Sequence, residues 1–90
     1  MNIALHGLVS GKVQGVWYRQ STVAQATSLG VNGWVRNLPD GRVEVWLEGD
    51  AEAVRALARW LETGPVRAKV TGVELEERQP EGLSDFEVRY

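Results

Sequence analysis

The fold is decided by residues 31–48, VNGWVRNLPDGRVEVWLE. At their centre, Leu38-Pro39-Asp40-Gly41 is typical of a tight turn, because Pro fixes φ at the first corner and Gly accepts a left-handed one. The residues after the turn alternate between the apolar Val43, Val45 and Leu47 on one face and Glu44, Trp46 and Glu48 on the other. This alternation is typical of a half-buried antiparallel strand. The stretch therefore predicts a hairpin of two strands, Val31 to Leu38 and Arg42 to Glu48.

Helices are predicted on both sides of this hairpin. Downstream, Asp50 is an N-cap residue, and the helix from Ala51 to Glu62 carries an apolar stripe at helical spacing, formed by Val54, Leu57, Ala58 and Leu61. Upstream, residues 19–29 predict a second, weakly apolar helix that ends at Gly30, a residue favoured at helix C-termini.

Three further strands complete the pattern. They are predicted at Leu5 to Ser10, at Val70 to Arg78 with a bend near Gly72, and at Phe86 to Tyr90. The order β-α-β-β-α-β with an extra C-terminal strand predicts an α+β, ferredoxin-like split βαβ sandwich, with an antiparallel sheet and two helices on one face. The predicted core between these layers is Val23, Leu29, Val35, Val43, Val45, Val54, Leu57, Leu61 and Val73.

Composition limits the classes of protein that fit. Ninety residues predict a single domain, 1–90. A net charge of −2 disfavours nucleic-acid binding, and no apolar run is long enough for a membrane span. The absence of cysteine excludes disulfides, thiolate metal sites and cysteine nucleophiles. We expect a cytoplasmic monomer without a metal or another cofactor.

The segment that carries chemistry is GKVQGVWYR, residues 11–19, between the first strand and the first helix. Its two glycines allow a tight curl, and successive N–H groups in a curl that precedes a helix form a concave site for an oxyanion. Arg19 at the helix start suits two phosphate oxygens at once. On these residues alone, a simple turn and an anion site both remain open.

Two other residues need an explanation. Asn37 lies where the second strand meets the turn, although Asn is poorly suited to strands; it either bonds its own backbone or serves a site. Trp46 could stack on bases, as in RNA-binding modules of this topology. Its acidic neighbours favour cross-strand packing instead.

Two motifs, G-K-V-Q-G-V-W-Y-R at residues 11–19 and G-W-V-R-N-L-P-D-G at residues 33–41, make the chain resemble the acylphosphatase family. The resemblance extends over essentially the whole chain. Its departures are small: Tyr18 stands where many members have Phe, and Trp17 occupies a variable position.

The resemblance implies hydrolysis of an acyl phosphate to a carboxylate and inorganic phosphate. It implies that Arg19 binds the phosphoryl group together with the backbone N–H groups of Gln14, Gly15, Val16, Trp17 and Tyr18, and that Asn37 positions the attacking water. Thr22, one turn after Arg19, either bonds the helix backbone or supports the loop, and we favour support of the loop. Two rival hypotheses are a ferredoxin-like domain that binds an anion without turnover and an RNA-binding module.

Overall fold

The computed structural model describes all residues from 1 to 90. Five strands and two helices follow one another along the chain. They are β1 (Asn2–Lys12), α1 (Tyr18–Leu29), β2 (Asn32–Asn37), β3 (Val43–Asp50), α2 (Ala51–Leu61), β4 (Lys69–Arg78) and β5 (Phe86–Arg89). The predicted order of elements and the ferredoxin-like class are confirmed.

The strands form one sheet in the order β4-β1-β3-β2-β5. The pairs β4–β1, β1–β3 and β3–β2 are antiparallel, as predicted. The pair β2–β5 is parallel, which makes the sheet mixed. The direction of β5 follows from the connection before it: β4 ends opposite Ala4 near the start of β1, and β5 starts opposite Gly33 near the start of β2. Because both ends of this connection lie at the end of the sheet where β2 starts, β5 runs in the same direction as β2.

The predicted bend in β4 is a bulge. Ser10 pairs with Gly72 while Gly11 pairs with Val70, so that Thr71 is the extra residue. The register shift occurs close to the end of β1, just before the chain leaves the sheet for the loop at residues 13–17.

Both helices cover the same face of the sheet. The Asp50 side chain accepts a hydrogen bond from the backbone N–H of Glu52, which caps α2 as predicted. The fully buried core between the layers is formed by Val9, Val35, Val43, Val45, Leu47, Val54, Leu57 and Leu61, with Val23 and Val73 packed at its border.

The buried stripe of α1 differs from the prediction. Tyr18, Thr22 and Ala26 are buried, whereas Leu29 is 37% exposed. The stripe begins at Tyr18, one residue before the predicted start of the helix, and it includes a polar residue because the Thr22 hydroxyl donates to the carbonyl of Tyr18 at 2.7 Å and is thereby satisfied in the core. Leu29 is the last helical residue and extends past the apolar layer.

The opposite face carries a smaller apolar cluster of Ala4, Trp34 and Trp46, on which Leu83 packs. Trp34 and Trp46 are cross-strand partners, and Trp46 is only 8% exposed, so the predicted packing role of Trp46 is confirmed. His6 also points to this face, as its position in β1 predicts. Its ring lies about 6 Å from both indoles, and its Nε2 lies 2.6 Å from a carboxylate oxygen of Glu44.

Candidate active site

One pocket, about 250 Å³ in volume, lies at the end of the sheet where β1, β2 and β5 finish. Seven residues line it: Val13, Gly15, Trp17, Tyr18, Arg19, Gln20 and Asn37. Arg19 is the only one that carries a charge. The sheet order explains the meeting, since Val43 of β3 pairs with Val9 on one side and with Asn37 on the other, and the loop after β1 crosses this strand end.

The loop curls because two of its residues adopt left-handed conformations. Gly15 has φ 72° and Trp17 has φ 66°, and Trp17 is the only residue other than glycine in the chain with a positive φ. Gly adopts this conformation without a Cβ penalty, whereas a bulky side chain rarely does. The local geometry therefore stores strain beside the pocket, at a position where the chain turns into α1.

Seven consecutive backbone N–H groups, those of residues 14–20, have no acceptor within the protein. The first N–H of α1 that is bonded within the helix belongs to Ser21, which donates to the carbonyl of Trp17 at 2.9 Å. No side chain caps this helix start and no acidic residue lies in its first turn. Unpaired N–H groups and the positive end of the helix dipole make the loop electropositive and rich in donors.

Arg19 is free to act on an anion in the pocket. It forms none of the six salt bridges of the protein. Its guanidinium carbon lies 5.1 Å from the centre of the Tyr90 ring, and this ring supports the side chain from one side. Tyr90 follows β5, and the parallel pairing of β5 with β2 brings it to this end of the sheet.

Asn37 presents an uncommitted acceptor. Its Oδ1 atom is buried and has no hydrogen-bond partner in the protein. A buried polar atom without a partner costs free energy, which marks such an atom as a candidate for a ligand or for water. The alternative prediction was that Asn37 bonds its own backbone, but its Oδ1 atom forms no such hydrogen bond.

The side chain of Gln14 has a contact that the sequence did not predict. Its Nε2 donates to the carbonyls of Leu38 and Arg42, at 2.8 and 2.9 Å. These carbonyls belong to the two sides of the β2–β3 turn, so one amide ties the loop to the strand end that carries Asn37. Arg42 in turn is bonded to Asp40 across the turn, and these bonds lower the pKa of Asp40.

The buried side chain of Tyr18 connects the end of the loop to α2. Its ring is buried, and its hydroxyl donates to the carbonyl of Leu61 at the end of α2, at 2.7 Å. Burial raises the pKa of the phenol well above its usual range. Tyr18 therefore remains neutral at physiological pH and fixes the first residue of α1 against α2.

The sequence matches the family model for acylphosphatase over residues 5–88. The chain belongs to the acylphosphatase family. It is 59% identical over 87 residues to the acylphosphatase of Pseudomonas paraeruginosa, an alignment that covers 97% of this chain and 96% of that protein. The resemblance found in the two motifs is confirmed.

Solved acylphosphatase structures have the same fold. An acylphosphatase from Coxiella burnetii superposes with a TM-score of 0.94 at 43% identity, covering 98% of this chain and 93% of that one. The crystal structure of acylphosphatase from Bacillus subtilis gives a TM-score of 0.94 at 34% identity, with 98% and 99% coverage. The protein is accordingly an enzyme that hydrolyses acyl phosphates to a carboxylate and inorganic phosphate.

For this acylphosphatase, the structure brings Arg19 and Asn37 to one pocket together with Gly15, Trp17 and Tyr18. Val16 is buried in the core. The buried Thr22 hydroxyl donates to the carbonyl of Tyr18, so Thr22 bonds the helix backbone, which is the alternative that the sequence left open. No group of three or more His, Cys, Asp or Glu side chains is placed to hold a metal ion. None of the helices has the length and apolar character of a membrane span.

Proposed function

We propose that the loop and Arg19 bind the phosphoryl group of the acyl phosphate. The observation that carries this proposal is the convergence of an unpaired arginine with a run of free backbone N–H groups, among them those of Gln14, Gly15, Val16, Trp17 and Tyr18. N–H groups at a helix start are suited to phosphate oxygens. The planar guanidinium binds two such oxygens at once. Thr22 supports the arrangement by holding the carbonyl of Tyr18.

Asn37 orients the attacking water. Its free Oδ1 accepts a hydrogen bond from this water and holds it near the phosphorus, which lowers the entropic part of the barrier. An amide has no useful pKa for general-base catalysis. The proton of the water therefore passes to an oxygen of the phosphoryl group as the new P–O bond forms.

Water is the nucleophile, without a covalent enzyme intermediate. The pocket contains no Ser, Thr, Cys, His, Asp or Glu side chain, and the Tyr18 hydroxyl is bonded to Leu61. The bond from phosphorus to the carboxyl oxygen breaks, and the carboxylate leaves with the electron pair. Because a carboxylate is a good leaving group, it needs little help from a general acid.

Charge in the transition state falls on the three equatorial phosphoryl oxygens. Arg19 and the N–H groups of the loop supply charge and hydrogen bonds to these oxygens, and we propose that they suffice without a metal ion. The pocket provides no carboxylate, the type of ligand that Mg²⁺ and similar cations prefer. We further propose that residues 1–90 act as a single domain and as a monomer, because one chain supplies the complete site. We propose a cytoplasmic location, because the chain has no cysteine for the disulfides typical of small secreted domains.

Phosphate release from an acyl phosphate by Arg19→Ala and Asn37→Ala variants tests these roles. Each substitution is expected to lower kcat by about 10²–10³. Arg19→Ala also weakens inhibition by inorganic phosphate, whereas Asn37→Ala leaves phosphate affinity nearly unchanged, because Asn37 acts on the water. Equal loss of phosphate affinity in both variants contradicts this division of roles. Loss of activity on addition of a chelator contradicts the metal-free reaction.

A further inference from the structure

Trp17 combines two unfavourable features. It is 65% exposed, although it is a large apolar side chain. It also adopts φ 66°, a left-handed conformation that is unfavourable for a bulky residue other than glycine. Strain of this kind is concentrated at functional sites. A tryptophan that gains no burial from its strained position points to a ligand-related role.

The indole is also the main accessible apolar surface of the pocket. The other two hydrophobic lining residues, Val13 and Tyr18, are each only 1% exposed. The remaining lining residues, Gly15, Arg19, Gln20 and Asn37, offer polar groups or backbone. A phosphoryl group held by the loop therefore leaves the acyl part of the substrate to meet Trp17.

Tyr90 is the alternative aromatic side chain near the pocket, at 97% exposure. Its ring is in contact with the Arg19 guanidinium, 5.1 Å from ring centre to Cζ, and it does not line the pocket. The ring of Trp17 has no such partner among the aromatic and cation–π pairs of the protein. Of the two rings, that of Trp17 is the one free to receive an acyl group.

We propose that Trp17 is a specificity-determining residue that packs its indole against the acyl group and favours aromatic acyl phosphates over small aliphatic ones. This inference rests on the proposed binding of the phosphoryl group by the loop and Arg19. Aromatic pairs gain about 0.5–1.5 kcal/mol beyond their area of contact. A preference of about two- to tenfold in kcat/KM follows from that range.

The test compares benzoyl phosphate with acetyl phosphate in the wild type and in two variants. Trp17→Asn removes the indole while retaining a residue that tolerates the left-handed conformation. It is expected to lower kcat/KM for benzoyl phosphate by about two- to tenfold relative to acetyl phosphate. Trp17→Phe keeps an aromatic ring and retains most of the preference. Leu29→Ala, which removes an exposed apolar side chain at the other end of α1, leaves the ratio unchanged.

Two results overturn the inference, and they are distinguishable from failure of the proposed function. A Trp17→Asn enzyme in which both substrates lose the same factor shows that Trp17 shapes the loop without contacting the acyl group. A wild type that hydrolyses both substrates equally, with the ratio unmoved by either variant, removes the role of Trp17 while leaving the phosphate site intact. If inorganic phosphate also fails to inhibit and Arg19→Ala has no effect, the proposed phosphate site itself is wrong, and this inference falls with it.

Discussion

The side-chain amide of Gln14 donates a hydrogen bond to the backbone carbonyl of Leu38, with 2.8 Å between the two heavy atoms. A second bond from the same nitrogen reaches the carbonyl of Arg42 at 2.9 Å. Since Leu38 directly follows Asn37, the two bonds fix the distance between the loop that we propose binds phosphate and the residue that we propose orients water. Gln14 is therefore expected to act as a positioning residue.

Gln14→Glu replaces a donor by a carboxylate oxygen facing two carbonyl oxygens, and it places a negative charge beside the pocket. A small misplacement of reacting groups costs about 10² in rate, so we expect kcat/KM to fall by about this factor. Phosphate-release assays and inhibition by inorganic phosphate measure the effect. Gln25→Glu, the same change at an exposed position of α1, is the matched control. Equal activity of the two variants contradicts the positioning role of Gln14.

Gly15→Ala and Gly30→Ala form a matched pair that separates folding from function. Their φ angles are 72° and 74°, and an added Cβ meets no atom within 4 Å at either position. Each substitution is expected to lower the free energy of unfolding by about 1–2 kcal/mol, the cost of a left-handed conformation for an L-residue. Only Gly15 lines the pocket. Gly15→Ala is therefore expected to weaken inhibition by phosphate and to lower turnover, while Gly30→Ala retains both. Activity assays are read beside urea unfolding of the two variants. A Gly15→Ala enzyme with unchanged activity contradicts the role of the loop.

Most of the fold follows from periodicity and end signals in the sequence. The capped apolar stripe of α2 records its one buried face and is confirmed. The alternation in Val43 to Glu48 correctly predicts a strand, but the prediction that this strand is half-buried is wrong, because Trp46 and Glu48 on its second face are buried as well. The direction of β5 leaves no such record, because a short strand reads the same in a parallel or an antiparallel pair. The prediction that Leu29 lies in the core was wrong for a related reason. Helical spacing does not show where the layer that packs against the helix ends.

The main residues of the site could be predicted from the sequence, but the contacts that position them could not. Arg19 and Asn37 were found through two motifs, and the structure places both in one pocket. The side-chain bonds of Gln14 join residues 24 and 28 positions apart and have no periodicity to reveal them. The only sequence feature that pointed to these bonds was the presence of an amide side chain, that of Gln14, at the start of the loop. The exposure and strain of Trp17 depend on the left-handed turn itself, which the glycines predict only as a tendency.

Glu48 gives the protein a stability that depends on pH. Its carboxylate is buried on the face of the sheet opposite the helices and accepts hydrogen bonds from the Trp46 indole and from the backbone N–H groups of Glu81, Gly82 and Leu83. Burial alone would raise the pKa of this carboxyl, but the four donors outweigh burial and lower the pKa. A lowered pKa in the folded state means that the carboxylate contributes stability above the ordinary value of about 4.3 and loses it as the pH falls through the lowered one.

Glu48→Gln tests this contribution, because the amide matches the shape of the carboxyl but turns one acceptor into a donor. We expect the free energy of unfolding to fall by about 1–3 kcal/mol at pH 7. The difference from the wild type is expected to shrink as the pH falls below the ordinary value of about 4.3 and through the lowered pKa of Glu48. The pKa of Glu44 is also lowered: burial would raise it, but hydrogen bonds with His6 and Arg36 prevail. That contribution is shared by both proteins and cancels in the difference. Urea unfolding between pH 7 and 3 measures the gap, with exposed Glu62→Gln as the control; a gap that stays constant over this range shows that the charge of Glu48 does not stabilise the fold.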